Sequence, residues 1–303
     1  MAKPVSSPKS TSSKTPAKSG GRPAGLFTWV AVGVVVVIVA GLVIAKVVSG
    51  GPSSSGTSGW VATDPTTVSQ ITAIPSSVYD AVGVSESSAV TAPLPLKGQP
   101  ALTAKSADGT TVPQVLYIGA EYCPFCAAQR WATIAALSRF GTWTGLGNTA
   151  SSSSDVYANT PTFTFYKAKF TSKYLVFTGV ETLNNVYPYT TLMTMTAQEK
   201  AILSKYDTSK YINMSSSNDG AIPFISMGNK FLVSGASYNP GLLTGLTRTQ
   251  IASNLSATSS PITKVIITSA NEQTAAICSL TNQQPANVCS SPGVKAAKTL
   301  MKL

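Results

Sequence analysis

The sequence contains a C-x-x-C motif, Cys123-Pro124-Phe125-Cys126, whose residue types and spacing can carry thiol–disulfide chemistry. The thiolate is the reactive form of cysteine, and two cysteines at this spacing can reach disulfide geometry without backbone movement. We therefore predict that Cys123 is the nucleophile that attacks a sulfur atom of a substrate. Cys126 would be the resolving thiol, which attacks the mixed disulfide formed by Cys123.

The residues on either side of the motif predict that it lies between a strand and a helix. Gln114–Ala120 is a short apolar run rich in β-formers, and Ala127–Phe140 is rich in helix-forming residues. Cys123 would then be exposed at the helix N-cap, where unpaired N–H groups and the helix dipole favour a thiolate. Glu121 opposes this effect, because a neighbouring carboxylate raises the pKa of a thiol.

A second signal is the Ile222-Pro223 dipeptide, which opens a short β-rich run just after Asp219-Gly220. An X-Pro bond in such a turn can be cis, and we predict a cis bond here because a C-x-x-C motif lies upstream. A cis-Pro loop facing that motif would expose backbone groups that pair with a substrate peptide, so Ile222 and Pro223 are candidate substrate-binding residues. The alternative is an ordinary trans proline at a strand start.

The other two cysteines, Cys278 and Cys289, are expected to form a structural disulfide. Closing a loop of about 12 residues restricts the unfolded chain by roughly 3 kcal/mol. A second redox pair that relays electrons to Cys123–Cys126 is the alternative. A zinc site is disfavoured because paired C-x-x-C spacing is missing, and a purely structural disulfide between Cys123 and Cys126 also stays open.

The remaining pattern predicts further strands and helices around these cysteines. Gly141 is expected at the C′ position of the helix that follows the motif. Strands are expected at Thr162–Lys169, Tyr174–Thr178, Ile222–Met227 and Lys230–Val233, the last two joined by a Gly-Asn turn. Helices are expected at Ile71–Val82, from Thr196 to Tyr206, from a capping box at Thr247 and Gln250 to Leu255, at Ile262–Leu280 and at Val294–Leu303.

The composition excludes several classes of function. The 303 residues include no His, which excludes His-ligated zinc, Ser-His-Asp triads and Cys-His pairs. The net charge of +11 includes five basic residues before residue 26. Beyond residue 50 the 16 basic and 11 acidic residues are spread without a concentrated patch, so no nucleic-acid partner is expected. The sequence implies no metal and no cofactor.

The first sixty residues predict a membrane anchor. Residues 26–48 contain a charge-free apolar run of 20 residues, long enough to cross the hydrocarbon core as one helix. Residues 1–25 are a basic, disordered cytoplasmic tail by composition, which orients the chain with its N-terminus inside. Residues 49–59 form a Ser/Gly linker, and residues 60–303 form one extracytoplasmic domain. Residues 60–112 are expected to be an N-terminal extension packed on that domain.

Several stretches resemble one known family. The run IGAEYCPFCAAQRW (residues 118–131) looks like the active-site segment of the membrane-anchored proteins grouped as domain of unknown function 929. Residues 160–177, 222–238, 245–256 and 275–289 are similar to that family's other blocks, so the resemblance covers roughly residues 60–290. It implies an α/β, thioredoxin-like fold after one N-terminal transmembrane helix. The fold would have a central mixed sheet flanked by helices, and a helical insertion at about residues 180–215, before the cis-Pro strand.

The resemblance also suggests thiol–disulfide chemistry in a single-pass membrane protein. Carried over residue by residue, Cys123 is the nucleophile, Cys126 the resolving thiol and Pro223 the cis-Pro. Exported protein thiols would be the substrates, and a membrane redox partner would reoxidise the pair. Tyr122 stands where thioredoxins carry Trp, and no His lies between the cysteines, so the direction of electron flow stays open. A non-catalytic binding or assembly module with a permanent Cys123–Cys126 disulfide, and an outward-acting reductase, are the alternatives.

Overall fold

The computed structural model describes residues 59–212 and 215–303. The predicted cytoplasmic tail (1–25), the predicted membrane span (26–48) and nearly all of the predicted linker (49–59) therefore lie outside the described residues. Within the two described ranges, none of the helices combines the length and the apolar character needed to cross a membrane.

Short strands and helices alternate along the described chain. The strands are β1 (Val61–Ala62), β2 (Leu94–Pro95), β3 (Thr103–Lys105), β4 (Thr111–Gly119), β5 (Thr142–Thr144), β6 (Gly147–Ala150), β7 (Pro161–Thr164), β8 (Lys169–Thr171), β9 (Val176–Glu181), β10 (Phe224–Met227) and β11 (Phe231–Ser234). The helices are α1 (Pro65–Thr72), α2 (Ser76–Val82), α3 (Pro124–Leu137), α4 (Ala197–Tyr206), α5 (Arg248–Asn254), α6 (Pro261–Leu280), α7 (Ala286–Cys289) and α8 (Pro292–Met301).

The main sheet is mixed and is built around β4. Along one edge β4 pairs in parallel with β9, from Gln114 opposite Val176 to Gly119 opposite Glu181. Along its other edge β4 pairs antiparallel with β10, which forms an antiparallel hairpin with β11. Strand β2 extends the sheet beyond β11, and β3 pairs with the first residues of β4. The protein is thus a mixed α/β structure, as expected.

Alternate residues of β4 face two separate hydrophobic clusters, because successive side chains of a strand point to opposite faces. Val115 and Tyr117 belong to the larger cluster, which also contains apolar residues of α3 and α6. Leu116 and Ile118 belong to the smaller cluster, which is completed by α4. Helices therefore cover both faces of the sheet, and the residues of β4 that lead to the C-x-x-C motif are buried.

Helix α3 follows β4 closely, and it begins where the position of the motif predicted. Its N-cap is Cys123 and its first residue is Pro124, a position where the missing N–H of proline leaves no helical hydrogen bond unmade. The helix ends at Leu137, so the prediction that Gly141 caps it was wrong. A Cβ atom on Gly141 would lie 2.2 Å from the carbonyl oxygen of Thr171, so glycine allows the turn after α3 to touch β8.

Other predicted elements are present with changed bounds. The predicted strand Thr162–Lys169 is interrupted between β7 and β8, where Lys167 has φ +65°. The predicted helix Ile71–Val82 is replaced by α1 and α2, because Pro75 starts a new helix as its N-cap. The insertion before β10 contains one α-helix, α4, and is otherwise largely irregular within the described residues. Both predicted helix starts, Thr196 and Thr247, carry complete capping boxes.

Candidate active site

The C-x-x-C motif lies at the C-terminal end of β4, where the chain turns into α3. The Sγ atom of Cys123 accepts a hydrogen bond from the backbone N–H of Cys126 at 3.2 Å, which is the usual bond of an N-cap side chain. Both cysteines of the motif are thiols in this structure. Cys126 lies one turn inside the helix and is fully buried. The sequence-predicted asymmetry between the two cysteines is therefore present in their positions.

The expectation that Cys123 is exposed was wrong, because only 4% of the residue is accessible. The loop before β10 lies against it, and the Cys123 thiol donates a weak hydrogen bond of 3.6 Å to the carbonyl oxygen of Ile222. The Ile222–Pro223 peptide bond is cis, as predicted. The structure thus brings together Cys123, Cys126 and the Ile222-Pro223 dipeptide.

The surroundings of the two thiols shift their pKa values in opposite directions. The hydrogen bond from the Cys126 thiol lowers the pKa of Cys123, helped by the Cys126 N–H and the charge of Arg130 and opposed by burial. Burial raises the pKa of Cys126 well above its usual value, and its hydrogen bond to Cys123 adds to this effect. The arrangement favours a thiolate on Cys123 and a thiol on Cys126.

Glu121 has less influence on Cys123 than the sequence suggested. Its carboxyl group is nearly buried, and burial raises its pKa, against a hydrogen bond from Thr164 and the charge of Arg130. The groups that lower the pKa of Cys123 are Cys126, Arg130 and the Phe125 N–H, and the main effect that opposes them is burial. The helix N-terminus therefore affects the pKa of Cys123 more than the carboxyl group of Glu121 does.

A buried ion pair lies beneath the cysteines and was not predicted from the sequence. The guanidinium of Arg130 donates to Glu181 from Nε at 2.8 Å and from Nη2 at 2.6 Å, and neither side chain is accessible to solvent. Nη2 also donates to the carbonyl oxygen of Ala120 at 2.7 Å, the atom that accepts the Cys123 N–H at 3.4 Å. A charged residue in the second turn of an otherwise apolar helix was a visible signal for Arg130. Its partner Glu181 could not be chosen without the register of β9.

Several aromatic side chains lie at and beside the motif. Phe125, between the two cysteines, is 40% accessible, and its ring packs edge to face against Tyr157. Tyr122 stacks on Tyr189, and the neighbouring Tyr187 is 80% accessible. A groove of about 290 Å³ begins at Phe125 and Tyr157 and continues along residues 236–240. The accessible surface next to the buried sulfur atoms therefore carries several aromatic rings.

The second cysteine pair forms the predicted disulfide away from this surface. Cys278, near the end of α6, is bonded to Cys289 at the end of α7, and both are buried. Leu280 approaches Gly228, in the turn after β10, whereas Pro223 precedes the first residue of β10. The disulfide therefore lies beyond the end of β10 that is remote from Cys123. The described residues contain no group of three or more Cys, Asp or Glu side chains placed to hold a metal ion.

Comparison with known proteins gives one match. No curated protein and no solved structure matches this chain. Residues 104–279, more than half of the 303-residue chain, match the model of the family described as Domain of unknown function (DUF929). The matched segment begins in β3 and ends within two residues of Cys278, so it contains the whole C-x-x-C site and the cis-Pro loop. The chain therefore belongs to the DUF929 family.

Proposed function

We propose that this protein is a thiol–disulfide oxidoreductase whose redox-active pair is Cys123 and Cys126. The observation that carries the proposal is the position of Cys123 at the N-cap of α3. Its sulfur atom accepts a hydrogen bond from the Cys126 N–H and forms a weak hydrogen bond with the Ile222 carbonyl oxygen. An N-cap thiol with a lowered pKa beside a buried thiol with a raised pKa is suited to nucleophilic attack followed by resolution.

We also propose that the domain is thioredoxin-like. The arrangement of the strands supports this assignment: β9 is parallel to β4, and the β10–β11 hairpin lies antiparallel on the other edge of β4. Further support comes from the order of the parts along the chain. The C-x-x-C motif follows the central strand, a cis-Pro precedes the next antiparallel strand, and the long helix α6 follows the hairpin.

The chemistry exchanges one disulfide for another without a cofactor. When the protein acts as a disulfide donor, a substrate thiolate attacks Cys123 Sγ, and the Cys123–Cys126 bond breaks with its electron pair on Cys126. A second substrate thiolate then attacks the substrate sulfur of the mixed disulfide, releasing Cys123 as a thiolate. The substrate leaves oxidised, and the pair is left reduced by two electrons.

The proposed location is outside the cell, on a single-span membrane anchor with the N-terminus in the cytoplasm. Residues 26–48 carry this part of the proposal through their sequence alone. The Cys278–Cys289 disulfide supports it, because such bonds persist in oxidising compartments and are rare in the cytosol. Exported protein thiols would then be the substrates, and a membrane redox partner would return the pair to the disulfide.

The deciding experiment is a measurement of the reduction potential of Cys123–Cys126 by equilibration with glutathione. A potential of about −120 mV indicates a disulfide donor in oxidative folding, and one of about −270 mV indicates a reductase that needs an electron source. A Cys123→Ala variant is the control, since it leaves the Cys278–Cys289 bond in place. A pair that does not equilibrate while the protein stays folded would overturn the oxidoreductase proposal.

The burial of Cys123 favours one alternative, a binding or assembly module in which the Cys123–Cys126 bond is permanent and structural. Only 4% of Cys123 is accessible, so a substrate sulfur must displace the Ile222 loop to reach it. Alkylation after mild dithiothreitol separates the two functions. Labelling of one thiol in the folded protein supports the enzyme, and labelling only after unfolding supports the module.

A further inference from the structure

Whichever way electrons flow, thiol–disulfide exchange at this site places a negative charge on Cys126. In the reducing direction Cys126 gives up its proton to water, and its thiolate attacks Cys123 Sγ in the mixed disulfide. The Cys123–Cys126 bond forms as the bond to the substrate breaks, and the substrate leaves as a thiolate that takes up a proton. In the oxidising direction the same bond breaks and leaves the electron pair on Cys126. This thiolate must exist at a fully buried position.

The charge on Cys126 is costly unless the protein supplies a counter-charge. Burial is the largest cause of the raised pKa of the Cys126 thiol. The chain contains no His that could take up the proton. The carboxylate of Glu181 is held by two hydrogen bonds from Arg130, and it also accepts a bond from the Phe165 N–H at 3.3 Å. The Glu181 carboxylate is thus engaged elsewhere, and a nearby positive charge can stabilise the thiolate directly.

Arg130 is placed to supply that charge. It lies one helical turn after Cys126 on the same face of α3, where side chains four residues apart are neighbours. Its Cζ atom is 5.9 Å from the centre of the Tyr117 ring, and the charge of Arg130 lowers the pKa of both Cys123 and Cys126. Among the ionic groups around the two sulfurs, the guanidinium is the positive charge that acts on both.

One nitrogen atom of the guanidinium donates no hydrogen bond within the described residues. Nε and Nη2 of Arg130 are bound to Glu181 and Ala120, whereas Nη1, on the opposite edge of the planar group, is buried without a partner among the described residues. The hydroxyl of Tyr117 is buried and unpartnered there as well. Buried donors are normally satisfied, and two orphaned donors on side chains that interact electrostatically with Cys126 fit a site where a negative charge appears during the reaction.

We propose that Arg130, held in place by Glu181, stabilises the transient thiolate of Cys126 and so controls the rate at which the mixed disulfide is resolved. The inference rests on the proposed oxidoreductase function. It assigns to this buried ion pair an electrostatic role beyond tying α3 to the end of β9. Glu181 is a positioning residue here, because it orients the guanidinium and does not contact the sulfur atoms.

The test uses Ellman's reagent on the full-length protein after mild reduction. Attack by Cys123 releases a first equivalent of the coloured thiol, and attack by Cys126 on the resulting mixed disulfide releases a second. The rate of the second release as a function of pH therefore reports the Cys126 thiolate directly. The variants are Arg130→Lys, Arg130→Met and the double variant Arg130→Met/Glu181→Gln, which removes both charges and leaves no lone buried carboxylate.

The expected result is that Arg130→Met and the double variant slow the second release about tenfold or more near neutral pH, and that its pH midpoint moves upward by about one unit. The first release should change less, because the thiol and the backbone N–H of Cys126 both affect the pKa of Cys123 more strongly than Arg130 does. Arg130→Lys should retain part of the rate. Arg139→Met is the matched control, since Arg139 lies two residues after the end of α3 and its guanidinium donates to Asn271 and Ser291.

A wild-type rate and pH midpoint of the second release in the double variant would overturn the inference, as would equal slowing of both releases. These outcomes differ from failure of the proposed function itself. In that case the wild-type protein would release one equivalent or none while folded, whatever residue occupies position 130.

Discussion

At the scale of single residues, the site depends on the contrast between two thiols of the same motif. The Cys126 thiol donates to Cys123, which is the largest cause of the lowered pKa of Cys123. In the proposed reaction, the residue that would resolve the mixed disulfide would therefore also favour ionisation of Cys123 before the reaction begins. The type of side chain at position 126 should control how readily Cys123 ionises.

Two substitutions of Cys126 test this dependence. Cys126→Ser keeps a hydrogen-bond donor, whereas Cys126→Ala removes it, so the pKa of Cys123 should be higher in the alanine variant. The expected difference is on the order of one pH unit in the midpoint of Cys123 alkylation by iodoacetamide. Identical midpoints in the two variants would show that the helix N-terminus alone sets the reactivity of Cys123.

A second residue-scale prediction concerns Glu272 on α6. Its side chain is fully buried, both carboxylate oxygens lack partners among the described residues, and burial raises its pKa to about 8. Because the folded pKa exceeds the unfolded one, the folded state binds the proton more tightly, and stability falls as the pH rises from about 4.5 to 8. Glu272→Gln should stabilise the protein by roughly 1–3 kcal/mol at neutral pH.

The measurement for Glu272 is urea unfolding of both proteins at several pH values. The increase in the free energy of unfolding caused by Glu272→Gln should become larger as the pH rises from about 4.5 to 8. Glu86→Gln is the control, because Glu86 is partly exposed in an ion pair with Lys264. This substitution should change the free energy of unfolding by less than about 1 kcal/mol. A gain for Glu272→Gln that does not depend on pH would mean that the carboxyl group has a partner in solution.

Sequence patterns correctly placed Cys123 at a helix N-cap and predicted the cis bond before Pro223, because both signals are local. They misjudged the exposure of Cys123, since the loop that covers it comes from residues almost one hundred positions later. The partner of Arg130 was hidden for the same reason. Glu181 lies opposite Gly119 only through the register of β4 and β9, which no local pattern defines.

At the scale of elements, close contacts between α3 and its neighbours hold the motif in place. Tyr238 and Thr162 donate side-chain hydrogen bonds to the Ala128 and Ala127 carbonyls, and the Trp131 indole donates to Pro161. After α3 the chain turns at Gly141 against β8, where a side chain would collide with a backbone oxygen. The end of α3 is therefore fixed by packing rather than by a glycine cap.

Gly141→Ala tests this reading of the turn. The added Cβ would lie 2.2 Å from the Thr171 carbonyl oxygen, which cannot rotate away as a side chain could. We expect a loss of stability of about 1–3 kcal/mol, measured by chemical denaturation. Gly59→Ala is the matched control, because nothing lies within 4 Å of a Cβ added there. An unchanged stability for Gly141→Ala would require β8 to move.

Elements with strong local signals were predicted well from the sequence. The capping boxes at Thr196 and Thr247 gave correct helix starts, and the Gly228-Asn229 turn gave the β10–β11 hairpin. Elements shaped by distant contacts were predicted poorly. Residues 60–112 supply α1, α2 and edge strands that pair with β6, β11 and β4, and their own pattern does not reveal those partners.

At the scale of the whole molecule, the Cys278–Cys289 disulfide joins the long helix α6 to the C-terminal segment. Helix α8 begins three residues after Cys289 and packs on both α6 and α2. The bond therefore closes the C-terminal part of the chain onto the face of the sheet that carries α3. Because the bond lies beyond the end of β10 that is remote from the C-x-x-C motif, its removal should affect stability more than the chemistry proposed for Cys123.

A Cys278→Ala/Cys289→Ala variant should lose about 3 kcal/mol of stability while keeping thiol exchange at Cys123. The free energy of unfolding and the exchange rate are measured on the same preparation at a temperature where the variant is folded. Loss of exchange in a variant that remains folded would instead support the alternative of a second redox pair. The single variant Cys278→Ala is less suitable, because it leaves a lone thiol at position 289.

The order of the strands across the sheet could not be predicted from the residues alone. Neighbouring strands β4 and β9 are separated in sequence by α3 and a long connection that contains four short strands, β5 to β8. Pairing over such separations is set by the sum of many weak contacts. The family resemblance, rather than any periodicity in the residues, supplied the expectation of a central mixed sheet.

The near-complete burial of Cys123 has a consequence for how this protein would survive an oxidising environment. A thiolate at an open surface is readily converted by peroxide to the sulfenic acid and then to irreversible sulfinic and sulfonic acids. Here the Ile222 loop shields the sulfur, and the Cys126 thiol lies beside it, ready to convert a sulfenic acid into a disulfide. In the proposed function a substrate polypeptide would have to displace this loop, and small oxidants meet a nearly closed surface while the loop is in place, so overoxidation of Cys123 should be slow.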